Sequence, residues 1–276
     1  MSGVSILILT KNEEQNIEAC LDSVRDFDDI VVFDSLSTDR TTALATAKGA
    51  RVVERPFDNW AAHQNWGNQN IAFKHAWVFY LDADERMTPE LRAEILAIAA
   101  DPAHEAVAYF CGRKNYFMGR WIKHCYPPSH LMRYFRPEKV RFERLVNPTP
   151  VVDGKAGYLK HYFDHYNFSK GFTEWFDKHN RYSQWEAMEG IKVRAGGGQG
   201  ASLFSGDPAL RRKALKQLSF KMPLRPGLKF VYLWLLKRGF LDGVPGLTYC
   251  LLQTIYEYQI DLKMKEIVLK EEGKPI

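Results

Sequence analysis

The chain has 276 residues, of which 46% are hydrophobic and 26% charged; that is apolar enough for a sizeable core and excludes a disordered chain. Its four cysteines, Cys20, Cys111, Cys125 and Cys250, show no CxxC spacing, which excludes a zinc ribbon and indicates free thiols in a reducing compartment. The formal charge of +5 is unevenly divided, with a net −7 over residues 1–100 and +12 over 101–276, so the two ends suit different partners.

"MSGVSILILT" lacks a basic leader and reads as a first strand, so no signal peptide is expected. "VSILILT" (4–10) is a continuous apolar run, as a strand buried on both faces requires. Asn12 is placed to cap a helix over "EEQNIEACLDSV" (13–24). "DIVVFD" (29–34) is the second strand, and Ser37, Thr38 and Asp39 offer acceptors to the helix after it. "RVVER" (51–55) is the third, a helix runs through "AAHQNWGNQNIAF", and "AWVFYL" (76–81) is the fourth. This order predicts an α/β fold, a mainly parallel sheet with helices on both faces. Ligands of such sheets bind at the carboxyl ends of the strands. Those ends carry "TKNEE", "DSLSTD", "ERPFDN" and "DADE", so all four polar clusters face one crevice. A GxGxxG or GxxxxGK[ST] loop is absent there, which disfavours a dinucleotide or P-loop site.

After residue 105, "EAVAYFCGRKNYF" looks like a strand pair, "GRWIKHCYPPSHLMRYFRP" like loop and strand, and "FTEWFDKHNRYSQWEAMEG" like a helix. Trp175, Phe176, Tyr182 and Trp185 on that helix are expected in the core. "RAGGGQGASLFSGDP" (194–208) is the best linker. The expected organisation is a catalytic domain over 1–195, a linker over 196–207 and a basic amphipathic segment over 208–276. From Pro208 to Leu241 there is no acid and there are nine bases, mixed with bulky apolar residues. Such a segment suits an anionic membrane surface, a helix packed on the catalytic domain, or nucleic acid. The missing acids and the aromatics favour the membrane, and a nucleic-acid partner is not expected. With no run of 18 apolar residues, a spanning helix is not expected either.

Asp82 and Asp84 cannot both stand ionised at a strand end without a divalent cation or a hydrogen-bond network. Oxygen ligands suit Mg²⁺ or Mn²⁺ rather than zinc, and such an ion completes its shell with substrate phosphates. Asp34 ends the second strand and Asp39 starts the next helix, with Ser37 between them; a base and ribose can be gripped there.

"ILILTKNEEQNI", "DSLSTDRT", "HQNWGNQ" and "WVFYLDADERMTPEL" resemble the four sequence blocks of inverting GT-A glycosyltransferases of family 2. The likeness is nearest to bacterial lipopolysaccharide-core and exopolysaccharide glucosyltransferases. It runs from residue 4 to about 95, less strictly to about 137, and returns in "PLRPGLKF…GFLDGVPGL". The resemblance implies a GT-A fold and transfer of one hexose from a nucleotide-sugar donor, UDP-linked, to a lipid-linked or lipopolysaccharide acceptor. The place it implies is the cytoplasmic face of a bacterial inner membrane. Thr10, Asn12 and Glu13 would line the nucleotide pocket, and Asp34 would bind the uracil or its ribose. Gln64 and Asn65 would sit by the nucleotide–sugar junction. Asp82 would contact ribose and metal, Asp84 would ligate the metal, and Arg133 would approach the diphosphate or the acceptor. Leu36 stands where the family commonly has Gly.

Inverting transfer needs a carboxylate to accept the proton of the attacking hydroxyl. The related branch carries it in a "VHE"-like stretch; here, in "RFERLVNPTPVVDG", Asn147 and Pro148 stand at the His and Glu places. Glu143 and Asp153 are the carboxylates in range, each a base or a solvated acid, with His161 and His165 nearby. His165 either completes the metal shell or is a structural histidine. An inactive nucleotide-sugar-binding protein at the membrane is the non-catalytic rival, and a sugar-1-phosphate nucleotidyltransferase is a distant one.

Overall fold

The structure is a computed structural model that describes residues 3–143, 148–196, 204 and 208–276. Its chain divides into two units, Met1–Trp121 with Pro127–Ser169, and Ile122–Tyr126 with Lys170–Ile276.

The first unit opens with β1 (Val4–Thr10), α1 (Ile17–Val24), β2 (Ile30–Asp34), α2 (Thr41–Ala47), β3 (Arg51–Glu54), α3 (Trp60–Asn70) and β4 (Trp77–Asp82). As expected, β3, β2, β1 and β4 lie side by side and parallel. Every residue of β1 is buried. Ile6 and Ile8 pack in a layer with Ile17, Cys20 and Leu21 of α1, while Leu7 and Leu9 pack in the opposite layer with Ala61 of α3. Two covered faces explain an apolar run without alternation. Contrary to expectation, α1 begins at Ile17 rather than Glu13, because Asn12 takes a left-handed φ of 53° and its side chain is used elsewhere.

Past β4 come β5 (Glu85–Arg86), α4 (Pro89–Ala100), β6 (Ala106–Phe117), β7 (Arg120–Trp121), β8 (His130–Phe135), β9 (Val140–Glu143), β10 (Thr149–Val152) and β11 (Lys155–His165). The stretch expected as a strand pair at 105–117 is the single strand β6. Both its edges are occupied, by antiparallel β8 and by parallel β11, which holds it extended throughout. Strand β8 is also antiparallel to β4, and β5 pairs antiparallel with the end of β11. That last register sets Glu85 opposite His165 and Arg86 opposite Asp164. Among the described residues nine strands form this sheet, and β9 and β10 form a separate hairpin.

The second unit holds α5 (Gly171–Arg194), α6 (Pro208–Lys221), α7 (Arg225–Val231) and α8 (Gly243–Glu271). A π turn, Tyr232–Leu236, and a 3₁₀ turn, Gly239–Asp242, join α7 to α8. Ala187 and Val193 of α5 pack with Phe220 of α6 and with Ile260 and Met264 of α8. Gly190 permits this approach, since a Cβ there would lie 2.7 Å from Phe220 Cδ1. Helix α5, expected in a domain ending at residue 195, therefore packs with the C-terminal helices. The expected linker lies almost wholly outside the described residues. Of the aromatics expected in the core of α5 only Trp175 is buried; Phe176, Tyr182 and Trp185 are exposed. The inward face of α5 is otherwise small, with Ser183, Ala187 and Gly190. Among the described residues no helix is long and apolar enough to cross a membrane.

Candidate active site

The loops after β1 and β2 are braced against each other at the carboxyl edge of the sheet. Thr10 Oγ1 donates to Asp34 Oδ1 at 2.7 Å, Ser37 Oγ donates to the same oxygen at 2.6 Å, and the Ser37 N–H donates to Asp34 Oδ2 at 2.6 Å. The Asn12 N–H donates to Ser37 Oγ at 2.7 Å, and Asn12 Oδ1 accepts from the Thr38 N–H at 2.8 Å. Farther out, the Glu13 N–H donates to Thr41 Oγ1 at 2.8 Å and the Glu14 N–H to Asp39 Oδ2 at 3.1 Å. Burial alone would raise the Asp39 carboxyl, but the hydrogen bonds from Thr41 and Glu14 outweigh it and hold it below the usual carboxylate range. Asp34 is completely buried, so both its oxygens serve Thr10 and Ser37 and shape the loop. Leu36, at the place where the family commonly has Gly, takes a left-handed φ of 62°. The backbone there favours glycine, and a leucine in that conformation costs roughly 1 kcal/mol.

Beyond this brace, His63 of α3 stacks on Phe33 with ring centroids 4.0 Å apart. Arg55 Nη1 donates to His63 Nδ1 at 3.1 Å, so Nε2 carries the proton and faces Ser35 Oγ at 3.4 Å. Burial, with the Arg55 charge, pushes this imidazole down to about 4. Gln64 is buried, and its Oε1 has no hydrogen-bond partner. Asn65 is committed to scaffolding. Its Nδ2 donates to the Phe142 carbonyl at 2.8 Å and its Oδ1 accepts from the Phe142 N–H at 2.7 Å.

The acidic corner forms where β4 ends. Arg133, buried on β8, places Nη2 at 2.7 Å from Asp82 Oδ2 and 2.6 Å from Glu85 Oε1. Glu85 is wholly buried, and its other oxygen accepts the Asp82 N–H at 2.9 Å. Burial pushes the Glu85 carboxyl well above the usual carboxylate range and the Arg133 guanidinium opposes it. One guanidinium thus serves two carboxylates and leaves Asp84 to another partner. His165 Nε2 lies 3.5 Å from Asp84 Oδ2, and its Nδ1 lies 2.8 Å from Asn115 Oδ1. An acceptor at Nδ1 keeps a proton there and turns Nε2 toward Asp84, either donating to it or standing beside it as a ligand. A ring fixed through its second nitrogen is what a ligating histidine needs.

Asp82, Asp84 and His165, expected as metal ligands, are brought to one corner. Among the described residues no three His, Cys, Asp or Glu side chains converge tightly enough to hold an ion alone. Mg²⁺ and Mn²⁺ do not require such a cage, because they take one or two carboxylates and fill the shell with water and substrate phosphate. The donor set fits a hard divalent ion.

The two candidate bases are not brought together. Asn65 and Asn68 of α3 hold Phe142 and Val140 of β9, so the β9–β10 hairpin runs along α3. Helix α3 leaves the crevice at Trp60, which puts the Glu143 end of the hairpin toward the crevice and the Asp153 end away from it. Glu143 is exposed and accepts from Arg141 Nη2 at 2.7 Å; Asp153 is exposed and accepts from Lys139 Nζ at 2.9 Å. Asn147 lies outside the described residues, and Pro148 just precedes β10. Sequence reasoning saw Glu85 as one of three crowded acids but gave it no role, and it passed over Asn115 and Asp164. Asp164 is half-buried, with Oδ1 lacking a hydrogen bond and Lys114 Nζ 4.0 Å away, and burial raises its carboxyl. The local signal for Glu85 was its place in "DADER", one step beyond the expected ligands.

A family model, glycosyl transferase family 2, matches residues 5–166. The chain belongs to glycosyl transferase family 2. An uncharacterised glycosyltransferase of Rickettsia bellii is 37% identical over 98 residues, 35% of this chain and 33% of that protein, so the chain matches about a third of its length. The lipopolysaccharide core biosynthesis glycosyltransferase LpsC of Rhizobium meliloti is 28% identical over 166 residues, 56% of this chain and 59% of that protein. Among solved structures, the mannosyltransferase PcManGT of Pyrobaculum calidifontis, in complex with GDP-Man and Mn²⁺, aligns over 95% of this chain and 86% of its own with a TM-score of 0.50 at 17% identity. That likeness confirms the expected GT-A fold.

Two outcomes follow from this corner and its neighbourhood. His63 is neutral in the fold, so its contribution to stability is complete above the unfolded value of 6.5 and is lost as pH falls toward about 4. The loss is up to about 1.4 kcal/mol per pH unit; denaturant midpoints measured across that window should fall less steeply in His63→Gln. Glu85→Ala should destabilise the protein by about 3–5 kcal/mol, because it strands the buried Arg133 charge, whereas Asp82→Ala, at a half-exposed pair, should cost less than about 1 kcal/mol. Equal denaturation midpoints for the two variants would contradict the buried clamp.

Proposed function

We propose that the chain is a metal-dependent inverting hexosyltransferase that moves one hexose from a nucleotide-diphosphate sugar, UDP-linked, to a lipid-linked saccharide or a lipopolysaccharide or exopolysaccharide acceptor. The observation that carries the reading is the corner of Asp82, Asp84 and His165 at the carboxyl edge of a family 2 sheet. The braced loops of Thr10, Asn12, Glu13, Ser37 and Asp39, shaped by buried Asp34, form the wall for base and ribose. Gln64 Oε1, buried and unpartnered, offers an acceptor beside them. Asp84 and His165, with Asp82 at the edge, would hold Mg²⁺ or Mn²⁺, which neutralises the diphosphate as it leaves.

Arg133 acts through Asp82. Reaching the diphosphate would require it to abandon buried Glu85, a change that costs about 3–5 kcal/mol, so its task is to fix the Asp82 carboxylate. The acceptor hydroxyl attacks the anomeric carbon opposite the diphosphate, and its proton passes to a carboxylate as the new C–O bond forms and the old one breaks. Glu143, at the crevice end of its hairpin, is the better placed of the two bases. The acid-free segment from Pro208 to Leu241 supports work against an anionic membrane, at the cytoplasmic face of a bacterial inner membrane, with peripheral attachment. The name of LpsC, a lipopolysaccharide core enzyme, supports the acceptor class. Asn147 and Pro148 at the expected His and Glu places favour a second reading, a protein that binds nucleotide sugar without transferring it.

A thermal-shift panel of UDP and GDP, each with and without Mn²⁺, should show a nucleotide shift that requires the ion, and Asp84→Ala should abolish the ion's effect. A wild-type protein indifferent to both nucleotides would sink the reading. With labelled UDP-hexose and a membrane extract, Glu143→Gln should lower kcat by at least ~10² with donor KM little changed, and Asp153→Asn should transfer like wild type. Nucleotide binding with no product from wild type would select the non-catalytic reading.

A further inference from the structure

The connection between α7 and α8 presents an apolar surface that nothing in the sugar-transfer reading uses. Leu235, Leu236, Phe240, Leu241, Val244 and Leu247 all face solvent there, with Leu236 at 73% and Val244 at 69% exposure. Lys237 and Arg238 are exposed among them. The inner side of this surface is closely packed. A Cβ on Gly239 would lie 2.7 Å from the Leu233 carbonyl oxygen, and one on Gly246 would lie 2.3 Å from that of Gly239. The only acid between Pro208 and Tyr256 is Asp242, and it is turned inward. It accepts the N–H groups of Lys123, His124 and Cys125 at 3.0, 2.9 and 2.9 Å, and His124 Nδ1 lies 2.8 Å away. The exposed face is therefore purely basic and apolar.

Helix α8 continues the same character. Its outward residues Leu251 and Ile255 are exposed, while Tyr249, Cys250 and Leu252 are buried on the other side. The helix carries no charge from Gly243 to Tyr256. Large apolar side chains left exposed on an uncharged stretch of helix suit hydrocarbon as well as a core, and here one side already has its core. Two copies meeting through this face would bring two surfaces together that both carry bases and no exposed acid, a like-charge contact that disfavours self-association. Bases at the level of bulky apolar side chains, with every acid withdrawn, match an anionic bilayer boundary.

We propose that the surface of Leu235, Leu236, Phe240, Leu241, Val244 and Leu247 enters the interface of an anionic bilayer, with Lys237 and Arg238 on the headgroups. This rests on the membrane half of the proposed function and assigns it to one surface. Entry is driven by apolar burial, and the bases add attraction that salt screens.

The test uses the full chain and flotation with vesicles of equimolar phosphatidylcholine and phosphatidylglycerol, beside vesicles of phosphatidylcholine alone. Wild type should bind the anionic vesicles more tightly. L236E/L241E should bind at least ~10-fold more weakly for each leucine lost, and K237A/R238A roughly fivefold more weakly for each base. Both pairs are exposed, and an unchanged nucleotide-dependent thermal shift verifies that the variants fold. Vesicle binding by L236E/L241E equal to that of wild type overturns this surface while leaving the membrane reading intact. Wild type that ignores both vesicles overturns surface and membrane reading together, while the nucleotide shift separately decides the sugar-transfer reading. A wild-type dimer that L236E/L241E converts to monomer would assign the face to a second copy and overturn the proposal.

Discussion

Three acids crowd the end of a buried strand, and the first unit is arranged around their repulsion. One guanidinium answers two of them. Arg133 reaches across from β8 to Asp82 and Glu85, and buried Glu85 also receives the Asp82 backbone N–H. This geometry requires β8 antiparallel beside β4 and β5 folded back onto β11. The same pairing sets His165 opposite Glu85 and thereby beside Asp84. A single electrostatic demand therefore links strands that are far apart in the chain. The residual negative charge at the rim suits a hard cation.

The nucleotide side solves a different problem, that of keeping polar loops rigid where the sheet ends. Side chains of one loop satisfy backbone groups of the next, from Thr10 and Asn12 to Ser37, Thr38 and Asp39. Rigidity of this kind lowers the entropy lost when a ligand is bound. It also explains the strained Leu36, since the bonds on either side of it fix the turn regardless of the residue there.

The parallel half of the sheet was legible because burial on both faces leaves unbroken apolar runs, and β1, β2, β3 and β4 fall within a residue of their expected bounds. The start of α1 was not legible. Asn12 has the chemistry of a cap, and only contact with Ser37 and Thr38, some 25 residues away, diverts it. Asp82, Asp84 and His165 were legible as chemistry, and the fold sets His165 beside Asp84 while Asp82 faces Arg133. Asn65 and Arg133 were read as ligand contacts, while the structure engages both with the protein itself. Their partners, Phe142 for one and Glu85 for the other, lie 77 and 48 residues away. The aromatics of α5 were misassigned because spacing identifies a face and not which face is covered.

Asp242 carries a consequence for how this protein can be dissected. The backbone it holds, Lys123 to Cys125, comes from the middle of the first unit's sequence yet belongs to the second. The second unit therefore draws on two separate stretches of the chain. A fragment cut at the glycine-rich stretch would strip three backbone amides, the buried one of Cys125 among them, of their shared acceptor and lay bare the thiol of Cys125. Expressing either half alone would then yield a damaged body, and studies of the separate roles are better served by point changes within the intact chain.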